Sequence, residues 1–269
     1  MSRPTFILTP TTNHPPSVYN NLATALFRHG YTSIKISLPT VLGPQSPVAS
    51  SDFQPDVIAL RNGLMTLVIE DEREVIVVMH GYSSLPGCEA VRGLSKRDRE
   101  REGKRGGVIR LVFIMAWLPQ EGFQSAERGD TSSFLPWVAV DEITHPPNQQ
   151  QAGTSTIHAL HAPGILYNDL PPETAQYWTS QLRPQSLGVY WSPISFAAWR
   201  YIPSTYVLCG QDRVVTPEYA ELIVQAARTS GGECALDRVE RCESAGHCVM
   251  IGHVDWCVGM LRRAAGEAV

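Results

Sequence analysis

Short apolar runs alternate along the first part of the chain with stretches in which apolar residues recur at helical spacing. Within residues 18–29 and 52–70, apolar side chains fall on one face, which predicts two amphipathic helices. The apolar runs are short and rich in β-branched residues, which favours strands buried on both faces. The runs that predict strands are residues 4–9, 33–38, 75–79, 108–116, 204–209 and 235–239. Strands that alternate with helices predict a mostly parallel, six-stranded sheet flanked by helices.

The alternation lapses between residues 117 and 199, which are rich in proline, aromatic residues and glutamine and show no clear strand pattern. A structureless loop of that length would be far too long for a compact domain. We therefore predict a cap at residues 117–199, inserted into a core formed by residues 1–116 and 200–269. Further helices are predicted over residues 217–229 and 253–265.

The sequence EVIVVMHGYSSLPG, residues 74–87, has the pattern of a buried strand that breaks in a sharp turn, with a helix predicted over residues 88–93. A strand, a sharp turn and a helix form the frame of a nucleophile elbow. The nucleophile of that frame lies two residues past the last apolar residue of the strand. Here that residue is Gly81, so the pattern predicts a hydrolase-type scaffold without its nucleophile, for which a hydroxyl of Tyr82, Ser83 or Ser84 is a candidate substitute.

Polar residues follow the predicted strands where parallel strands bring their carboxyl ends to one edge of a sheet, the edge at which ligands bind. Residues 9–14 and 80–84 follow two of the strands, and Asp212 and His247 follow two others. The chain order of nucleophile position, Asp and His is the order of the α/β-hydrolase triad. In such a triad the carboxylate orients the imidazole, the imidazole moves the proton, and backbone N–H groups stabilise the oxyanion.

Six blocks of the sequence carry a family resemblance: PTFILTPTTNHPPSVY, VIVVMHGYSSLPGCEAVRGLSKRDREREGKRGGVIRLVFI, YNDLPPETAQYW, LRPQSLGVYWSPISFAAW, IPSTYVLCGQD and SAGH. In these blocks the chain resembles α/β-hydrolase-fold proteins of the branch that holds salicylate-type esterases and plant hydroxynitrile lyases, and among them small fungal members. The resemblance implies an α/β-hydrolase fold with an inserted cap. It also implies a small-molecule substrate, for instance a polyketide-like metabolite.

Carried over residue by residue, the resemblance implies that Asp212 is the triad acid and His247 the triad base. Gly81 takes the place of serine in the family's usual His-Ser-Tyr-Gly-Gly elbow. The N–H groups of Tyr82 and Thr12 would form the oxyanion hole. The absence of this serine argues against ester hydrolysis through an acyl-enzyme.

Three further residues are candidates for binding substrate. Thr11 belongs to the same altered oxyanion loop, and His14 matches a family position that flanks this loop. Ser83 completes the start of a Gly-x-Ser-x-Gly pattern, although it lies two residues too late in the turn. The large aromatic residues of the cap are expected to form mainly its own core, with roughly two or three lining an apolar pocket: Trp117, Phe123, Trp137, Tyr167, Trp178, Tyr190, Trp191 and Trp199.

Charge and composition limit the classes of partner and the location that we expect for the protein. A net charge of −4 disfavours a nucleic-acid partner, no stretch approaches the ~20 apolar residues of a membrane span, and the N-terminus lacks a signal-peptide pattern. We expect a cytoplasmic protein whose six cysteines are reduced thiols, and a homodimer is left open. A metal site at Cys242, His247, Cys248 and His253 is the weaker alternative, because the spacing matches no common zinc pattern. We therefore expect no metal and no cofactor.

Three functions remain open on the sequence. The first is non-hydrolytic acid–base chemistry of lyase, isomerase or cyclase type, in which the His247–Asp212 pair acts on a small apolar carbonyl compound. The second is hydrolysis of an ester or lactone through Ser83 or through water activated by His247. The third is a ligand-binding pseudoenzyme without catalysis.

Overall fold

The computed structural model describes residues 3–43, 52–132, 134–143, 152–231 and 236–269. The strands of its core sheet are β1 (Thr5–Thr9), β2 (Ser33–Lys35), β3 (Glu74–His80), β4 (Gly107–Ile114), β8 (Ser204–Cys209) and β9 (Leu236–Cys242). These six strands pair in the order β2-β1-β3-β4-β8-β9, with every neighbouring pair parallel. This sheet confirms the predicted fold class.

Helices cover both faces of the core sheet. Consecutive residues of a strand point to opposite faces, and all residues from Val75 to Met79 are completely buried, so both faces of β3 are covered. The helices of the core are α1 (Asn20–Arg28), α2 (Gln54–Leu64), α3 (Ser84–Ala90), α4 (Lys96–Arg101), α7 (Pro217–Thr229), α8 (Val249–Gly252) and α9 (Val254–Ala264). Helix α1 packs against α9, and α2 packs against α3.

Some strands end where the sequence pattern did not predict. Strand β4 stops at Ile114 rather than at residue 116 because Met115 has a left-handed φ of 41°. Strand β9 pairs with β8 as far as Cys242, three residues beyond the predicted end. Four of its seven residues are charged, which is typical of a sheet edge, and they masked the apolar pattern on which the prediction relied.

The segment between β4 and β8, whose sequence shows no clear strand pattern, has its own small sheet. The antiparallel strands β5 (Val138–Ile143), β6 (Ala152–Ile157) and β7 (Gln185–Ser186) pair in sequence order. Two helices, α5 (Ala162–Leu166) and α6 (Pro172–Gln181), lie between β6 and β7. These strands are short and partly polar, which explains why no β pattern was evident. The exact limits of core and cap remain a prediction.

The described part of the chain contains no helix with the length and apolar character needed to cross a membrane. Five of the cysteines lie in this part, and all five are buried free thiols: Cys88, Cys209, Cys242, Cys248 and Cys257. Cys234 lies outside the described residues. Cytoplasmic location and homodimer formation stay predictions.

Candidate active site

The predicted elbow is present at the carboxyl end of β3. The strand ends at His80, a single 3₁₀ turn covers Gly81–Ser83, and α3 follows at once, so the helix begins four residues earlier than predicted. Gly81 has a φ of 53°, in the left-handed region that glycine enters without the strain of a side chain. The turn therefore has the sharp, left-handed geometry of a nucleophile elbow, at a residue with no side chain.

The side chain of Thr11 occupies the space that a side chain at position 81 would need. A Cβ built on Gly81 would lie 2.3 Å from Thr11 Oγ1 and 3.0 Å from Thr11 Cβ. The same point is 3.9 Å from His247 Nε2. The N–H group of Tyr82 donates a hydrogen bond to Thr11 Oγ1 over 3.4 Å. A hydroxyl from the loop after β1 thus lies where the elbow would otherwise project its own side chain.

Asp212 and His247 form a buried hydrogen-bonded pair beside this turn. His247 Nδ1 donates to Asp212 Oδ2 over 2.7 Å, and both side chains are almost completely buried. The other oxygen, Asp212 Oδ1, accepts from the N–H groups of Val214 and Val215 at 2.7 and 3.1 Å. Because Nδ1 is used in this way, Nε2 is left to face the space above Gly81. The pair has the arrangement of an imidazole base oriented by a carboxylate.

The motif Tyr167–Asp169 braces the two loops that carry this pair. Asn168 Nδ2 donates to the carbonyl of Gln211, next to Asp212, over 2.9 Å. A Cβ on Gly246 would lie only 2.6 Å from Asp169 Oδ1, so this close approach requires glycine directly before the histidine. The motif contacts these loops but does not line the cavity above Gly81.

Two more histidines lie beside His247, and burial keeps both neutral. His14 Nδ1 donates to the carbonyl of Thr12 over 2.7 Å, and Nε2 accepts from the hydroxyl of Tyr167 over 2.8 Å. Burial lowers the pKa of His14 to about 4. The His80 ring lies 4.5 Å from the ring of His247, and burial lowers the pKa of His80 well below its usual value. Of these three histidines, His247 is the one that pairs with Asp212 in the described part of the chain.

Ser83, predicted as a site residue and candidate substitute nucleophile, does not line the cavity above Gly81. Its hydroxyl is completely buried within hydrogen-bonding distance of the carbonyl oxygens of His80 and Thr9, at 3.0 and 3.2 Å. It also accepts from Thr9 Oγ1 over 3.1 Å. The 3₁₀ turn rotates this side chain towards the end of β1 and away from the cavity. Ser84 is completely buried as well.

A cavity of about 260 Å³ opens over the turn. Thr11, Thr12, His14, Gly81, Tyr82 and His247 line its floor, so the structure brings these predicted residues together. Most of the remaining wall is apolar, and the lining that the structure describes includes no Lys, Arg, Asp or Glu. Three of the cap's predicted aromatic residues contribute to the wall: Trp117, Trp137 and Tyr190.

The alternative metal site finds no support in the described part of the chain, where no three His, Cys, Asp or Glu side chains form a group suited to a metal ion. The candidate ligands have other neighbours. Cys248 Sγ lies 3.6 Å from His14 Nε2, and His253 Nε2 lies 3.3 Å from Asp169 Oδ2.

The sequence reasoning missed one residue of this region, Asp56. Its carboxylate is completely buried and accepts a hydrogen bond from the hydroxyl of Tyr82 over 2.7 Å. A signal was present, because Asp56 lies four and eight residues before Leu60 and Leu64 and hence on the buried face of the same helix. A charged residue on an apolar stripe needs a specific partner.

A family model described as "Alpha/beta hydrolase family" matches residues 6–259 of the chain. The chain belongs to this family. It is 30% identical to "Alpha/beta hydrolase nvfD" of Aspergillus novofumigatus (strain IBT 16806) over 273 residues, which cover 100% of this chain and 99% of the relative.

Solved structures agree on the fold. The chain is similar to polyneuridine aldehyde esterase, with a TM-score of 0.76, 13% identity and coverage of 98% of this chain and 99% of the other. It is also similar to tomato methylketone synthase I, solved in complex with 2-tridecanone, with a TM-score of 0.73, 14% identity and 99% coverage of both chains. At these identities the similarity extends to the fold.

Proposed function

We propose that this protein is a non-hydrolytic enzyme in which His247, oriented by Asp212, moves a proton on a small, uncharged carbonyl compound. The chemistry would be of lyase, isomerase or cyclase type. The observation that carries this proposal is the placement of Thr11, whose hydroxyl fills the volume beside Gly81 and faces the same space as His247 Nε2. A base and a hydroxyl are thus present where a nucleophile would otherwise project.

The first step would remove a proton from the carbon next to the substrate carbonyl. His247 Nε2 accepts this proton, the electron pair of the broken C–H bond forms the enolate, and the negative charge moves to the carbonyl oxygen. Thr11 Oγ1 and the N–H group of Thr12 are donors available to stabilise this oxygen. The N–H group of Tyr82, which donates to Thr11 Oγ1 over 3.4 Å, becomes a third donor if the substrate oxygen replaces Thr11 Oγ1 as its acceptor. The proton then returns to carbon, or the enolate proceeds to bond cleavage, elimination or ring closure.

The cavity supports an uncharged, largely apolar substrate. Its described wall provides no cation that would pair with a carboxylate or phosphate group of a ligand, and no acidic group that would pair with an amine. Burying an unpaired charge in such a cavity is costly, whereas apolar surface is favoured there. The aromatic side chains of Trp117, Trp137 and Tyr190 favour a flat or cyclic carbon skeleton.

Exchange of carbonyl-adjacent protons with solvent deuterium tests this proposal without knowledge of the natural substrate. The purified protein is incubated in D₂O with 2-tridecanone, acetophenone or a decalone, and loss of the proton signal is followed by NMR. The ligand of the tomato neighbour suggests the first of these ketones. We expect exchange of at least one ketone on the order of 10²-fold faster than in buffer. Exchange of all three at the buffer rate would contradict the proposal.

Hydrolysis by water that His247 activates directly is the second candidate, and the name of the Aspergillus relative favours it. The space above Gly81 would then hold the water, and the products would be an acid and an alcohol. Acid release from a δ-lactone or an aryl ester, without α-proton exchange of any ketone, would favour this candidate. Absence of both activities would favour a ligand-binding pseudoenzyme.

A further inference from the structure

The Asp56 carboxylate accepts hydrogen bonds from two separate parts of the chain. Its Oδ1 accepts from the N–H group of Thr40 over 2.9 Å, and its Oδ2 accepts from the hydroxyls of Thr40 and Tyr82. All three are donors, so the network suits the ionised carboxylate, which only accepts. Burial raises the pKa of Asp56, whereas the bonds from Thr40 and Tyr82 oppose that rise.

The donor directions can be followed from Asp56 to the oxyanion loop. Gln185 Nε2 donates to Thr40 Oγ1 over 2.6 Å, so the Thr40 hydroxyl must direct its proton to Asp56. Gln185 Oε1 accepts from the N–H group of Asn13 over 3.1 Å. One chain of hydrogen bonds therefore joins Asp56 to the residue that follows Thr12, by way of the cap strand β7.

Asn13 links the same loop to the cap. It has a left-handed φ of 63°, and its side-chain amide donates to the carbonyls of Ser155 and Arg183 at 3.0 and 2.8 Å. The N–H group of Arg183 donates back to the carbonyl of Asn13 over 2.9 Å. An asparagine tolerates this backbone conformation better than most residues. The loop that carries Thr11 and Thr12 is thus fixed at its far end by bonds to the cap.

We propose that Asp56 is a positioning residue with two effects. Its carboxylate fixes the side chain of Tyr82, next to Gly81 in the elbow. Through Thr40 and Gln185 it also fixes the loop that carries Thr11 and Thr12. The elbow and the loop after β1, which border the space above Gly81, are then both held by the carboxylate of Asp56. Asp56 itself does not line the cavity. The expected effect of Asp56 on the rate of ketone exchange rests on the proposed function, whereas its effect on the positions of the elbow and the loop does not.

Substitutions at Thr40 test the proposal with a matched pair. Thr40→Val removes the hydroxyl and keeps the shape, and Thr40→Ser keeps the hydroxyl. Amide signals of Asn13 and Tyr82 are recorded by ¹H–¹⁵N NMR, together with kcat and KM for ketone exchange. We expect Thr40→Val to shift both signals and lower kcat roughly 10- to 100-fold, with KM within about twofold, because misplaced donors weaken transition-state stabilisation. Thr40→Ser should restore both readouts.

Folded Thr40→Val and Asp56→Asn proteins that leave both amide signals unchanged would contradict the positioning role. If Thr40→Val does not fold, Tyr82→Phe tests the elbow side alone, since it removes one hydroxyl and keeps the ring. Failure of the wild-type protein to exchange any ketone would instead count against the proposed function. The amide signals would still decide the role of Asp56.

Discussion

Replacement of His247 by glutamine is expected to lower the rate of ketone α-proton exchange by 10²–10⁴-fold, because an amide cannot take the proton. The pair with Asp212 is buried, and neither neighbouring histidine is placed to substitute, because both ring nitrogens of His14 are hydrogen-bonded and His80 does not line the cavity. Asp212→Asn should lower the rate in the same direction, because the imidazole would lose the carboxylate that fixes its orientation. NMR exchange rates at saturating ketone measure both effects.

His161→Gln is the matched control, since His161 is exposed in the cap and is not among the residues that line the cavity. It should exchange the ketone at the wild-type rate. A His247→Gln protein that is folded and keeps more than about a tenth of the wild-type rate would exclude His247 as the base.

Gly81→Ser alone is not expected to create a reactive serine, whereas Gly81→Ser combined with Thr11→Gly is expected to create one. In Gly81→Ser the new Cβ would meet Thr11 Oγ1 at 2.3 Å, so one of the two side chains has to move. Gly81→Ser with Thr11→Gly frees that volume and places a serine hydroxyl beside His247. Labelling by a serine-reactive fluorophosphonate should then be faster than in the single variant by on the order of 10²-fold or more.

Gly81→Ser with Thr12→Gly is the control for this experiment. It changes the same loop by one threonine but leaves Thr11 in place, and it should label as slowly as the single variant. Equal labelling of the single and the Thr11→Gly double variant would show that Thr11 does not occupy the nucleophile's space.

Local patterns were enough to predict most of the core. The strand Ser204–Cys209 and the helix Pro217–Thr229 have the predicted bounds, because an apolar run and an N-terminal proline are strong signals within a few residues. The small sheet of the cap was missed. Its strands carry short polar residues, and β7 has only two residues, so their stability depends on pairing that a local pattern does not encode.

In the candidate site, too, some features follow from local sequence patterns and others depend on packing between distant segments. The order of Gly81, Asp212 and His247 along the chain predicted which residues meet, since the carboxyl ends of parallel strands share one edge. The direction of the Ser83 side chain and the steric role of Thr11 depend on contacts between loops about 70 residues apart. Such contacts follow from packing, which a motif cannot predict.

The central claim is that a carbonyl group binds above Gly81 between Thr11 and His247. A crystal structure of the protein with a bound ketone tests it most directly. We predict a carbonyl oxygen within about 3.2 Å of Thr11 Oγ1 or the Tyr82 nitrogen, and an adjacent carbon within about 3.5 Å of His247 Nε2. A ketone bound with its carbonyl directed away from Thr11 and Tyr82, or a His247 ring turned from the cavity, would contradict the account.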